Sequence, residues 1–322
     1  AWPAVLCRDP DRRDPAAPLI FEHTSNILSK WPASRGPFRI HKQDIFSMLI
    51  LDRPRSLINQ NRPPLAQKTD KTIVVADFEF LSDWRKFEDY RAKDGDAAHW
   101  KPRWPFGYIV CASWVVIDFP AAADKPEVSH FYSLSQPNND QTDIVEVFFR
   151  TLEQASSNNA EPARLVTWGG DLKDIAALHL VAQRREWILP PQLRNTSPHC
   201  PQRLDLCQFY YHRELEGVHL SEFLQAQDLP VKPNRPTKVA DFASDGNWKA
   251  VEEHCAADVM LTAILAVRHL ASTAQIGQTG KKCTEAILDR FCNRSPTSYT
   301  RYLQKWRKEN LGYRGTLTCR GR

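Results

Sequence analysis

Asp77 and Glu79 in IVVADFEF, Asp174 in LVTWGGDLKDIAAL, and His254 with Asp258 in EEHCAADVMLT are the side chains of this sequence that could act together as a reactive centre. Each acid sits in a segment whose apolar pattern predicts a buried strand or helix. Four carboxylates taken into a core are costly unless something positive compensates them. A pair of divalent cations would do so, and carboxylate oxygens are the donors that a hard ion such as Mg²⁺ prefers. A lone D-x-E is short and common, and on its own reads more readily as a strand end followed by a solvated glutamate. The weight lies in the ordered set of three acidic segments.

The elements that must position these groups can be read from the same segments. Thr72 to Ala76 is a run rich in β-branched residues, which reads as a central strand covered on both faces. Alternation along it sends Asp77 and Glu79 to one face. From Gly246 the stretch GNWKAVEEHCAADVMLTAILAVRHLAST carries apolar residues at helical spacing and no proline. His254 and Asp258, four residues apart, fall one above the other on that helix. Strand-like runs at FGYIVCASWVVIDF, VSHFYSLS and RLVTW, with a helix-like TDIVEVFFRTLEQAS before the last, suit a mixed sheet flanked by helices. At 322 residues the chain can hold one large α/β domain with extensions.

Asp77-Phe78-Glu79, then Thr167-Trp168-Gly169-Gly170 leading to Asp174, then His254 and Asp258, resemble in order the motifs of DEDD-type 3′–5′ exonucleases, a superfamily with the ribonuclease H-like fold. The likeness is greatest to stand-alone bacterial proteins related to the exonuclease domain of family B DNA polymerases. It covers roughly residues 70 to 272, where RLDLCQFYYH and HLSEFLQAQDLPVKP look like the family's Asp-Leu strand and the short helix leading to a Leu-Pro-x-Lys turn. The third motif departs from both branches of the family, because it sets a histidine at the spacing that goes with tyrosine. Gly169 stands where relatives tend to carry Asn, and Asp171 competes with Asp174 for the second-motif role. A strand-turn-helix reading favours Asp174, one turn inside the helix, with Asp171 as its N-cap.

The resemblance implies a ribonuclease H-like α/β fold, with a mixed central sheet flanked by helices. It also implies a hydrolase that removes nucleotides from the 3′ end of single-stranded nucleic acid, with DNA the expected strand, using two Mg²⁺ or Mn²⁺ ions. In that scheme Asp77 bridges the ions, Glu79 and Asp258 complete one site, and Asp174 helps the other. His254 orients or deprotonates the attacking water, so activity is expected to fall as pH drops through roughly 6 to 7. Two further readings stand beside this one: a catalytically inactive nucleic-acid-binding module of the same fold, and a structural α/β protein whose acids fail to converge.

The net charge of +5 is unevenly placed. Lys281 to Arg322 holds eleven lysines and arginines against Glu285, Asp289 and Glu309, which leaves the rest of the chain acidic. That asymmetry fits an acidic metal-binding body and a basic extension drawn to phosphates. Tyr299, Leu303 and Trp306 fall at helical spacing there and could stack on bases, although a core-facing stripe is the better reading. WKPRWPF, residues 100 to 106, admits the same two readings. Eight cysteines show no C-x-x-C and no paired metal-ligand spacing, so free thiols in a reducing cytoplasm are expected. The apolar stretches read as too short to span a membrane, and neither end resembles a secretory signal. Residues 1–70, with nine prolines and no sustained periodicity, read as a poorly ordered extension. Residues 71–275 read as the exonuclease-like domain and 276–322 as a basic C-terminal extension.

Overall fold

The apolar run Thr72 to Ala76 is the first half of a longer strand, β1 (Lys71–Ser82). The structure is a computed structural model, and its described residues are 71–95, 99–157, 161–197, 199–211, 218–233, 238–294 and 296–312. The Pro-rich segment 1–70 and the end of the basic segment, 313–322, lie outside the described residues. Antiparallel pairing with β2 (Gly107–Phe119) runs from Lys71↔Phe119 to Ser82↔Gly107 and carries β1 well beyond its apolar part. A register shift between Glu79 and Phe80 interrupts this ladder beside one of the candidate acids, the kind of irregularity that re-aims a side chain.

The outer edge of β2 takes two short antiparallel strands, β3 (Glu127–Val128) and β4 (Tyr132–Ser135). The single strand expected over 128–135 is broken because the Ser129 hydroxyl, rather than a backbone carbonyl, accepts the Val116 N–H at 2.9 Å. The other edge of β1 pairs in parallel with β5 (Arg164–Thr167), and β5 pairs in parallel with β6 (Arg203–Asp205). The order β3-β2-β1-β5-β6 is that of a mixed sheet. With helices on both faces, it is the ribonuclease H-like arrangement expected from the sequence.

Six helices among the described residues exceed ten residues: α1 (Trp84–Asp94), α2 (Gln141–Ser157), α3 (Asp174–Arg185), α4 (Trp248–Ser272), α5 (Gly280–Cys292) and α6 (Ser298–Asn310). Val74, Ala76 and Phe78 point to one face of the sheet, where they meet Ile144, Phe148 and Leu152 of α2 and Leu178 and Val181 of α3. Ile73 and Val75 point to the other, against Ala256, Val259, Met260 and Ala263 of α4. Among the described residues α4 alone is long and apolar enough to cross a membrane, at 25 residues with a mean hydropathy of 1.4 over an 18-residue window, contrary to the sequence expectation. It is instead a core helix, with 83% of its apolar window buried inside the protein.

The described part of the basic segment joins the same core. Cys283, Ile287 and Phe291 of α5 and Leu303 and Trp306 of α6 belong to the cluster built on Ile73 and Val75, and Tyr299 packs against it. The stripe at Tyr299, Leu303 and Trp306 is therefore core-facing. Thr297 opens α6 with a capping box shared with Thr300, which satisfies backbone donors at both positions. Leu303 is fully buried, so Leu303→Ala is expected to destabilise the protein by about 2–5 kcal/mol in urea titrations. A change under about 0.5 kcal/mol would show that α6 is dispensable to the fold.

Candidate metal centre

Side chains repeat every second residue along a strand, so Asp77 and Glu79 continue the face of Ile73 and Val75 toward α4. That helix carries His254 and Asp258, both buried. His254 Nε2 stands 3.9 Å from Glu79 Oε1 and 3.9 Å from Asp258 Oδ2. The donor atoms of Glu79, His254 and Asp258 lie within 4.8 Å of one another, as do those of Asp77, Glu79 and Cys255. Glu79 belongs to both groups. Cys255 Sγ donates to the Asp77 carbonyl at 3.3 Å and reaches its Oδ2 at 3.6 Å, so the thiol orients Asp77. Acids scattered over the molecule, the expectation for a purely structural protein, are not what is found.

Asp174 arrives from the opposite direction. Val75 pairs with Val166 near the end of β5, so Asp77 stands where β5 gives way to a turn. Gly169 adopts φ 73°, and a Cβ on Gly170 would lie 2.7 Å from the Thr167 side chain, so this turn depends on its two glycines. Asp205 holds the turn by accepting from Gly169 N at 2.8 Å and Asp171 N at 2.9 Å. The chain then enters α3 with Asp174 as its first residue, not one turn inside as the sequence suggested. Asp171 is not the N-cap: it lies in the preceding 3-10 turn, and its carboxylate pairs with Arg203 Nε at 3.4 Å. Asp174 is outside both close donor groups, yet near enough to Asp77 for the Asp77 charge to raise its carboxyl.

Asp77 and Glu79 keep a little exposed surface, but enough protein surrounds them that burial dominates their titration. Burial, reinforced by the charge of Asp258 and opposed by Lys232, pushes the Asp77 carboxyl up to about 7. Burial and then Asp77 and Asp258 hold Glu79 well above the carboxylate range. Asp174 is likewise held well above it, by burial and then by Asp77. Asp258 is raised by burial despite Lys232 and His254. Burial moves His254 the other way, below the ordinary histidine value, with Asp258 opposing. In the metal-free protein the group that titrates near pH 7 is thus Asp77, while His254 lies below the range expected from the sequence.

Lys232 is the residue that sequence reasoning missed. It was visible only as part of a Leu229-Pro230-Val231-Lys232 turn, and no local pattern marks a turn lysine as buried. Its Nζ lies 2.5 Å from Asp258 Oδ2 with both side chains almost fully covered. Burial alone would lower its pKa, but the charge and hydrogen bond of Asp258 outweigh that and hold it above the ordinary lysine value. Lys173, next to Asp174, adds a second cation with its Nζ 3.9 Å from the centre of the Phe80 ring.

The donor set suits hard divalent ions. Asp258 Oδ1 and His254 Nδ1 are buried without a hydrogen-bond partner among the described residues, and such orphaned atoms are costly unless something polar meets them. A cation among Asp77, Glu79 and Asp258 would both meet Asp258 Oδ1 and relieve the mutual repulsion that raises these acids.

No family model matches the chain, and no curated protein matches it. Among solved structures the chain is similar to the family B DNA polymerase from the hyperthermophilic archaeon Pyrobaculum calidifontis, at 13% identity and a TM-score of 0.44. The match covers 78% of this chain and 30% of that one, so the chain spans under a third of the polymerase's length.

Proposed function

We propose that the protein is a metal-dependent 3′–5′ exonuclease acting on single-stranded nucleic acid, with DNA the expected strand. The observation that carries this reading is the meeting of Asp77 and Glu79 from β1 with His254 and Asp258 from α4. Binding nucleic acid would not call for such a cluster, which repels phosphate unless cations are added. Two Mg²⁺ or Mn²⁺ ions, when bound, would supply the positive charge that activates a water and stabilises the leaving oxygen. Asp77 would be shared between them, Glu79 and Asp258 would complete one site, and Asp174 would contribute to the other.

His254, kept neutral at pH 7 by burial, is available to orient the attacking water or take its proton at Nε2. The water oxygen bonds to phosphorus, the bond to the 3′ oxygen of the remaining strand breaks, and a nucleoside 5′-monophosphate leaves. The reading assigns residues 71–275 to the exonuclease domain, with α5 and α6 against its flank. It sets the protein in the cytoplasm, which the free thiols at Cys111, Cys200, Cys207, Cys255, Cys283 and Cys292 suit.

Digestion of 5′- and 3′-labelled single-stranded DNA and RNA, with and without Mg²⁺, tests the proposal. A shortening ladder from 5′-labelled strands and immediate release of the 3′ label, both abolished by chelator, are expected. The second reading, a nuclease-inactive binding module, is favoured by Lys232, which already neutralises Asp258 without a metal. Strand binding with no hydrolysis under any divalent ion would select it.

His254→Ala is expected to lose most of the rate, by roughly a hundredfold or more, since a positioned base contributes on that scale. His254→Tyr should recover part of it, because a phenol at this spacing can hold the same water. A His254→Ala protein with the parent rate and pH profile would leave water activation to the ions alone.

A further inference from the structure

The tryptophans after β1 are turned outward. Trp84 is 56% exposed, Trp100 73% and Trp104 44%. Scattered exposed apolar residues are ordinary, but three tryptophans around one junction call for an occupant. WKPRWPF is thus not a core-facing stripe.

Their base is packed. Phe106 packs edge-on against the buried Phe87 at 5.3 Å and lies 5.4 Å from Tyr90, while Asp83 N donates to Phe106 O at 2.7 Å. The loop residue Trp100 is held by its neighbours, with the His99 ring stacked at 6.0 Å and Lys101 Nζ 4.6 Å from its centre. Arg85, Lys101 and Arg103 are exposed and make no salt bridge among the described residues. Aromatic faces interleaved with exposed cations match the two features of a single strand, stackable bases and a phosphate backbone. A protein partner would ordinarily be met by a drier, less charged patch.

The position links this surface to the acidic centre. Ser82, the last residue of β1, is three residues beyond Glu79, or roughly 10 Å along the strand. An open cleft of about 420 Å³, whose lining includes Trp84, Lys86 and Arg184 as well as Asp83, adjoins it.

We infer that Trp84, Trp100 and Trp104, with Arg85, Lys101 and Arg103, form a stacking platform that holds single-stranded nucleic acid a few nucleotides away from the acidic centre. This rests on the exonuclease reading for its direction but not for its measurement. The full chain is titrated in chelator with a fluorescein-labelled single-stranded oligothymidylate, and its own tryptophan emission is followed. The oligonucleotide should quench that emission, and Trp100→Ala/Trp104→Ala should weaken binding by about tenfold to a hundredfold. Trp100→Phe/Trp104→Phe should retain much of the affinity, and Lys101→Glu/Arg103→Glu should weaken binding and flatten its salt dependence. Hydrolysis of the p-nitrophenyl ester of thymidine 5′-monophosphate, too small to reach the platform, should be unchanged in all of them. Unchanged oligonucleotide affinity in the folded alanine variant would overturn the platform and leave the tryptophans to a protein contact, with the exonuclease reading intact. A parent protein that neither binds the strand nor cleaves the ester would overturn both.

Discussion

Asp77→Ala is expected to leave the protein folded while lowering phosphodiester hydrolysis by roughly a thousandfold or more, the scale on which removing one group that stabilises developing charge acts. Asp77 contributes nothing to the apolar clusters on either face of β1. Its ionised form is disfavoured by burial and by Asp258, so its removal relieves repulsion. Metal-free Asp77→Ala should therefore unfold in urea at the parent midpoint or above it at pH 8. Loss of activity with loss of folding would make Asp77 a structural residue, and robust turnover by a folded variant would remove the two-ion proposal.

The same comparison ranks the two aspartates of the second motif. Asp174→Asn should behave like Asp77→Ala, because Asp174 lies near enough to Asp77 for that charge to raise its carboxyl. Asp171→Asn should keep much of the activity and lose about 1–3 kcal/mol of stability, since Arg203 is left buried without its anionic partner. The reverse ranking would transfer the catalytic role to Asp171.

What the sequence revealed follows from local rules. Alternation along β1 is enough to put Asp77 and Glu79 on one face, and i,i+4 spacing is enough to stack His254 on Asp258. Together with the unbroken apolar pattern of α4 these give most of the centre. Asp174 was legible as a residue but not as a position, because the 3-10 turn at Gly170–Leu172 uses up the residues that looked like a first helical turn. Lys232 and Cys255 were illegible in role. Their contacts to Asp258 and Asp77 join segments far apart in the chain, and no spacing rule reaches that far. The same holds for WKPRWPF, whose composition suits a core or a surface equally until Phe106 is seen to take the inward position.

Without metal, the protein is expected to become less stable as pH rises from about 5 to 8. Asp77, Glu79, Asp174 and Asp258 all have folded-state values raised above the ordinary carboxylate range. A raised carboxyl binds its proton more tightly when folded, so its contribution is fully present below the unfolded value, near pH 4, and is lost as pH rises through the folded one. For Asp77 that upper limit is about 7. His254, depressed by burial, works in the opposite direction, its contribution being lost as pH falls below the ordinary histidine value, but it is one group against four. Ionising Asp77 alone by pH 8 costs up to about 4 kcal/mol, which for a domain of this size is roughly 10 °C in Tm. A divalent ion binds the ionised acids and not the protonated ones. Millimolar Mg²⁺ or Mn²⁺ should therefore raise Tm strongly at pH 8 and little at pH 5. Asp77→Asn should flatten both the pH dependence in chelator and the response to metal. Thermal melts in chelator that rise with pH, together with no metal effect at pH 8, would mean that Lys232 and Lys173 already neutralise the cluster and that no divalent ion belongs there.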